Sequence, residues 1–92
     1  MTNLNTTEPI SIYDDILATL RHTYMSKNAD YGDSFNKSIK KYGPIAGLVR
    51  ISDKFNRLEN LLMGNDAKVK DERVEDTLLD LANYCIMLKM AI

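Results

Sequence analysis

The sequence has few of the residues and segments that mark several classes of protein. It contains one cysteine in 92 residues, so an internal disulfide is excluded, and Cys85 has no metal-ligating partner at a useful spacing. No apolar stretch approaches the roughly 18 residues that a membrane span needs. The N-terminus has neither the basic start nor the apolar run of a signal peptide. We therefore expect a protein of the reducing cytoplasm that does not contact membranes.

An excess of charge of one sign is also lacking. Twelve lysines and arginines stand against 13 aspartates and glutamates, which gives a formal net charge of −1. Duplex DNA and anionic membranes select strongly basic surfaces, so neither is expected as a partner. The sequence also has no pattern typical of a Ser-His-Asp triad, a phosphate-cradling glycine-rich loop or a zinc site. Its one histidine, His22, is interpreted as a surface or boundary residue.

Helical periodicity is clear in three segments of the chain. Apolar residues recur there at intervals of three and four positions, as on the buried side of an amphipathic helix. Pro44 suits the first position of the second helix, and Gly64 is a typical stop after its end. The predicted helices span residues 9–27, 44–63 and 72–90. Residues 1–8 are predicted to be a disordered tail, and residues 9–92 to form a single domain.

The segment between the first two helices is rich in turn-forming residues. Residues 27–35 show no clean periodicity and predict a loop, and residues 37–41 predict a short helical turn. In this loop Tyr31 and Phe35 are able to stack on a nucleotide base while Gly32 lets the backbone approach a ligand. Alternatively, the two aromatic residues cap the core and Gly32 only forms a turn. Both interpretations remain open.

The third predicted helix is apolar on two sides. One side carries Val74, Leu78, Leu81, Cys85 and Leu88, and the other carries Leu79, Ile86, Met87 and Met90. A helix that is apolar nearly all round must be covered nearly all round. Three helices of one chain can hardly do this, so we expect an all-α, three-helix antiparallel bundle that is completed by oligomerisation. The thiol of Cys85 is expected to lie in the core.

Two stripes of mainly charged residues are the candidates for a functional site. The basic stripe of the second helix falls within about 100° of arc and consists of Arg50, Asp53, Lys54 and Arg57. The acidic stripe of the third helix consists of Asp76, Asp80 and Asn83.

Three interpretations of these stripes compete. They pair in a salt-bridge network, or the cations join Lys27 in holding phosphate oxygens, or Asp76 and Asp80 coordinate Mg²⁺ for attack on a polyphosphate.

Three segments of the sequence together resemble a known family. They are residues 27–33 (KNADYGD), 50–58 (RISDKFNRL) and 75–84 (EDTLLDLANY). In this order they resemble the small phage and prophage proteins described as nucleotide-modification-associated. These proteins are similar to the MazG-like all-α nucleoside triphosphate pyrophosphohydrolases. The resemblance implies a dimeric or tetrameric helical bundle with a nucleotide bound between helices.

The resemblance also implies roles for individual residues. In the pyrophosphohydrolases, acidic clusters on successive helices bind Mg²⁺, and here Asp76 and Asp80 would supply the share of one helix. Asn83 would contact the sugar or the base. The second helix departs from the family pattern, because it carries the basic stripe where the hydrolases carry several glutamates. Positive residues in place of metal ligands favour binding over hydrolysis.

The leading functional hypothesis is a phage-type nucleotide-binding protein that captures a nucleotide or nucleotide-derived signal, as in counter-defence. The first alternative is a Mg²⁺-dependent nucleoside triphosphate pyrophosphohydrolase, with Asp76 and Asp80 as its metal ligands. The second alternative is a helical module that binds another protein through the second apolar side of the third helix. The expected partners are a nucleotide and further copies of the chain, and no cofactor is certain. The candidate ligand-binding residues are Lys27, Tyr31, Gly32, Arg50, Asp53, Lys54, Arg57, Asp76, Asp80 and Asn83.

Overall fold

The computed structural model describes residues 8–27, 32–64 and 70–92, and within these ranges all regular structure is α-helical. The helices are α1 (Pro9–Lys27), α2 (Gly32–Tyr42), α3 (Ile45–Met63) and α4 (Lys70–Ala91). The all-α prediction is confirmed, and three of these helices match the predicted ones to within two residues at each end. Of the predicted tail at residues 1–8, residues 1–7 lie outside the described residues, as do residues 65–69.

The helix α2 corrects the prediction of a three-helix chain. The sequence predicted a loop over residues 27–35 and a short turn over 37–41, whereas Gly32–Tyr42 forms a helix of 11 residues. Phe35 and Ile39 lie one turn apart and both approach Gly47 of α3, so tertiary packing decides the structure of this segment against its local turn propensity. The part of the loop at residues 28–31 lies outside the described residues.

Gly43 produces the sharp break between α2 and α3. Its φ of +84° is a backbone conformation that glycine adopts readily. Its amide donates to the carbonyl of Ile39, which closes the end of α2, and Pro44 precedes α3 as its N-cap residue. At the other end of α3, the amide of Gly64 donates to the carbonyl of Asn60. The stop predicted at Gly64 is therefore confirmed, and α3 begins one residue after the predicted Pro44.

The helices α3 and α4 form an antiparallel pair with the most extensive contact in the structure. Their direction follows from two contacts. Gly47 near the start of α3 meets Leu88 near the end of α4, and Lys54 in the middle of α3 meets Asp80 in the middle of α4. A Cβ atom at Gly47 would lie 2.8 Å from the Cδ1 of Leu88, so the missing side chain lets the two helices approach closely.

The helix α1 packs mainly on α4, at a point marked by Leu20 and Asn83. Both residues are buried, and the Asn83 Nδ2 donates a hydrogen bond of 3.2 Å to the carbonyl of Leu20. On the other flank, the buried ring of Phe35 stacks on Tyr84 with ring centroids 5.8 Å apart. The small core thus lies around α4, with α1, α2 and α3 packed against it.

Much apolar surface remains uncovered in the described part of the chain. The large apolar residues that are more than 40% exposed include Leu48, Phe55 and Leu62 on α3 and Leu78, Ile86 and Met90 on α4. Cys85 is exposed as well, so its predicted place in the core is wrong for the single chain. It lies on a side of α4 that no other described helix covers. None of the described helices is both long enough and apolar enough to cross a bilayer.

Candidate functional site

A polar cleft of about 420 Å³ lies between the second half of α1 and the first half of α4. It is lined by His22, Thr23, Ser26, Lys27, Asp76, Leu79 and Asp80. The volume is within the usual range for a small-molecule site, roughly 300–1,000 Å³. Hydroxyl, imidazole and ammonium groups come from α1 and carboxylates come from α4, so the two walls differ in charge. Residues 22, 23, 26 and 27 share one side of α1 because they recur at intervals of three and four.

An ion pair ties α3 to this cleft. The Nζ of Lys54 lies 3.0 Å from the Oδ2 of Asp80, and both side chains are 28% exposed. Partial burial reduces the screening of this pair by solvent. The ammonium group of Lys54 balances one of the two carboxylates that line the cleft. Asp76 is exposed one helical turn before Asp80, on the same side of α4.

Arg50 faces a different neighbour from Lys54. Its Nη2 donates to the hydroxyl of Ser38 at 3.1 Å and to that of Ser34 at 3.4 Å, both on α2. These bonds hold α2 against α3 and turn the guanidinium group away from the cleft. Arg50 instead borders a second groove of about 370 Å³, lined also by Ser38, Tyr42, Ile45, Ala46 and Val49.

The structure places the other candidate residues as follows. Asp53 and Arg57 are exposed on α3, and neither lines the cleft. Asn83 is buried with 3% exposure. Gly32 is the first residue of α2, and Tyr31 lies outside the described residues. Of the ten candidates, the structure therefore brings together Lys27, Asp76 and Asp80, with Lys54 joined to them through its ion pair.

Both predicted stripes thus take part in the structure, and one pair joins them. Lys54–Asp80 is the ion pair between the basic stripe and the acidic stripe among the described residues. A continuous salt-bridge network of the two stripes is not present in that part of the chain, because Arg50 bonds to hydroxyl groups instead.

A comparison with known protein families finds a match that covers most of the chain. The sequence signature described as "Nucleotide modification associated domain 1" matches residues 27–92, which is well over half of the chain. The chain belongs to this family. No curated protein and no solved structure matches it significantly. The nucleotide modification associated domain 1 therefore comprises α2, α3 and α4, together with the last residue of α1.

The limits of the nucleotide modification associated domain 1 divide the cleft. Lys27 and the wall formed by α4 belong to the matched region, whereas His22, Thr23 and Ser26 lie before it. Sequence reasoning missed these three residues of α1 because single histidine, threonine and serine residues carry no motif. The signal in the sequence that points to them is their spacing. His22 and Ser26 lie four residues apart, on the side of α1 that also carries Lys27.

The described residues of this family member contain no group of three or more histidine, cysteine, aspartate or glutamate side chains that could hold a metal ion. Asp76 and Asp80 are two carboxylates in one cleft, and His22 lines the same cleft without completing such a group. The donor set that the described residues offer in the cleft is therefore smaller than that of a metal site built by the protein alone.

Proposed function

We propose that this member of the nucleotide modification associated domain 1 family binds a nucleotide in the cleft between α1 and α4. The observation that carries the proposal is the meeting of Lys27, Asp76 and Asp80 in one cleft of ligand size. The chemistry of the two walls suits the two ends of a nucleotide. Lys27 belongs to the wall of donors, and the carboxylates belong to the wall of acceptors.

The wall formed by α1 suits the phosphate group. A phosphate oxygen accepts hydrogen bonds from an ammonium group and from hydroxyl groups, and such charge-assisted bonds are the stronger ones. Lys27 offers the ammonium group, and Thr23 and Ser26 offer the hydroxyls. His22 offers a ring N–H donor at the same wall.

The wall formed by α4 suits the sugar and the base. Ionised carboxylates only accept hydrogen bonds, and a ribose hydroxyl or an exocyclic amino group of a base supplies the donor. Asp76 and Asp80 would repel phosphate, so the phosphate is placed at the opposite wall. Leu79 lies between these carboxylates in the sequence and adds an apolar surface against which a base can pack.

Binding is tested by thermal shift and calorimetry with a panel of nucleotides, cyclic nucleotides and ADP-ribose derivatives. A ligand at 100 times its Kd stabilises the fold by about 2.7 kcal/mol. For a domain of this size this raises the Tm by roughly 10–20 °C. Capture without turnover would let the protein withdraw a nucleotide signal from solution, as counter-defence requires.

Matched variants separate the cleft from the rest of the charged surface. Lys27→Ala and Asp76→Asn are each expected to weaken binding about tenfold or more, the loss of one charge-assisted hydrogen bond. Arg57→Ala removes an exposed charge of α3 outside the cleft and should leave the Kd within about twofold. Equal losses from Lys27→Ala and Arg57→Ala would point to diffuse electrostatic attraction. The absence of binding by any nucleotide in the panel would reject the proposal.

A second candidate function is nucleoside triphosphate pyrophosphohydrolysis. It is favoured by one observation, the two carboxylates of Asp76 and Asp80 on adjacent turns of α4 in the same cleft. Mg²⁺ in proteins is commonly held by one or two carboxylates together with phosphates of the substrate. The residues do not complete a metal site by themselves, and binding alone is therefore the first proposal.

The two functions differ in a turnover assay. Pyrophosphate release from nucleoside triphosphates is measured with Mg²⁺ or Mn²⁺, for the wild type and for Asp80→Asn. Hydrolysis predicts release that the substitution abolishes. Ligand binding that persists without any release, with either metal, would reject the enzyme and leave the binding protein.

A further inference from the structure

The helix α3 is apolar on one side and basic on the other. The line of α3 that faces α4 runs through Gly47 and Lys54. Leu48, Phe55 and Leu62 lie roughly 60–100° round the helix from this line, all on one side of it. Each is slightly more than half exposed, and Phe55 is 54% exposed. Arg50 and Arg57 lie on the opposite side of the line.

The helix α4 repeats this arrangement. Its line toward α3 runs between Asp80 and Leu88, which contact Lys54 and Gly47 of α3. Leu78, Cys85 and Ile92 lie roughly 80–120° round the helix from this line. Leu78 is 48% exposed, and Cys85 is also exposed. Because α4 runs antiparallel to α3, this rotation brings the apolar residues of both helices to the same side of the pair. We call it the bare face, formed by Leu48, Phe55, Leu62, Leu78, Cys85 and Ile92.

The bare face is opposite the two packed flanks. Asp76 and Asp80, which line the cleft with α1, lie on the other side of α4, and Arg50, which bonds to α2, lies on the other side of α3. Thus one side of the α3–α4 pair carries α1, α2 and the candidate site. The other carries apolar side chains that are about half exposed, of which Leu78 also borders a groove with Ile16 of α1.

The apolar area of the bare face is at the upper end of what a typical monomer exposes. Its five large aliphatic and aromatic residues are about half exposed or more, which amounts to on the order of 600 Å² of apolar surface. The largest apolar patch of a typical monomer is roughly 300–600 Å², and a standard interface buries about 800 Å² on each partner. The half-buried residues Val74 and Leu81, which lie among them on α4, add a smaller area, so the total lies between these two values.

We propose that a second copy of this chain covers the bare face. Its six residues carry no charge, so the surface that fits it is equally apolar, and another bare face meets this condition. Two α3–α4 pairs packed face to face form a four-helix layer with an apolar centre, a common way of burying such surfaces. Each candidate cleft then remains open on the outside of the dimer. This inference does not depend on the proposed function.

The test is the oligomeric state of matched variants. Light scattering and sedimentation should give the wild type twice the chain mass of 10.5 kDa at roughly 100 µM. Phe55→Glu and Leu78→Glu each place a charge in the apolar centre and should give monomers. Tyr13→Glu changes a residue of α1 that is 61% exposed and lies outside the bare face, and it should remain dimeric.

Cys85 reports on the same face independently. Its thiol should react with a soluble disulfide reagent at least tenfold more slowly in the wild type than in Phe55→Glu, because the dimer covers it. Since Phe55 is more than half exposed, circular dichroism should show an intact helical fold in that variant. A monomeric wild type would overturn the proposal. So would a dimer that survives both glutamate substitutions with Cys85 equally reactive, because the copies would then meet elsewhere.

Discussion

Asn83 is the residue whose replacement should separate structure from binding most sharply. Its side chain is 3% exposed and its Nδ2 donates to the carbonyl of Leu20 at 3.2 Å. A buried hydrogen bond contributes about 1 kcal/mol, and removing the amide also leaves a small cavity. Asn83→Ala should therefore lower the free energy of unfolding by about 1–2 kcal/mol, with α1 loosened from α4.

Asn83→Asp keeps the shape of the side chain but changes its chemistry. It sets a carboxylate oxygen against the Leu20 carbonyl oxygen, in place of a donor, and buries a charge without a described partner. An unpaired buried charge costs about 3–5 kcal/mol, which is a large part of the usual stability of a small domain. Asn83→Asp should therefore be more destabilising than Asn83→Ala, although it is the smaller change in volume.

The effect of Asn83→Asp should also depend on pH. Burial raises the pKa of the introduced carboxyl above its usual value of about 3.9. For an acid whose pKa is higher in the folded state, the loss of stability is complete at neutral pH and shrinks as the pH falls through the folded-state pKa. The protonated carboxyl is also able to donate to the Leu20 carbonyl. The difference between the aspartate and alanine variants should therefore decrease between pH 7 and pH 5.

Urea unfolding followed by circular dichroism measures all three free energies at one protein concentration. Asp76→Asn is the matched control, since this exposed residue lies on the same side of α4 and should change stability by no more than about 0.5 kcal/mol. If Asn83→Asp lowered the free energy of unfolding no more than Asn83→Ala at pH 7, water would be reaching the carboxylate at position 83, and the reasoning would be refuted. If both left stability unchanged but abolished nucleotide binding, Asn83 would be a ligand-contacting residue, as the family resemblance implied.

Three further experiments test the packing of the helices, each by urea unfolding. A double-mutant cycle of Lys54→Ala and Asp80→Asn should give a coupling energy of up to about 1 kcal/mol, because the ion pair is only partly buried. A coupling energy near zero would show that the ion pair is not formed. Gly47→Val should destabilise by about 2–3 kcal/mol, because its Cβ would already meet Leu88 at 2.8 Å, and a neutral result would contradict this close approach. Gly43→Ala should lower the free energy of unfolding by about 1 kcal/mol. The cost comes from the φ of +84° alone, because no atom lies within 4 Å of the added Cβ. Gly43→Asn should lower the free energy of unfolding by less, because asparagine adopts this conformation more readily than alanine.

The sequence predicted α1, α3 and α4 because their signals are local. Pro9 opens the first helix, Gly64 follows the last residue of α3, and apolar residues keep the helical period between such boundaries. The same kind of local signal gave a wrong prediction for α2, a loop followed by a short turn. Asp30, Gly32, Asp33 and Ser34 favour turns individually, whereas the helix depends on Phe35 reaching Gly47 and Tyr84, residues distant in the chain.

The candidate site was predictable only in part, for a similar reason. Periodicity placed Asp76 and Asp80 on one side of a helix, and this is confirmed by their common place in the cleft. It could not show that Lys54 and Arg50, one turn apart, would face different helices, because this depends on where α2 packs. Of the α1 residues in the cleft, Lys27 was a candidate, whereas His22, Thr23 and Ser26 were missed, since the cleft forms only where α1 packs against α4.

Under the proposed function, the small contact between α1 and α4 makes nucleotide affinity depend on how often α1 is docked. If α1 occupies its docked position only a fraction of the time, the apparent Kd is the intrinsic Kd divided by that fraction. A nucleotide that bridges the two walls of the cleft raises the docked population, so backbone amides of α1 should exchange their hydrogens more slowly when it is bound. Changes at Leu20, outside the cleft, would then alter affinity without touching the ligand. Selection on how firmly one helix docks could thus tune the capture of a nucleotide while the groups that recognise it stay the same.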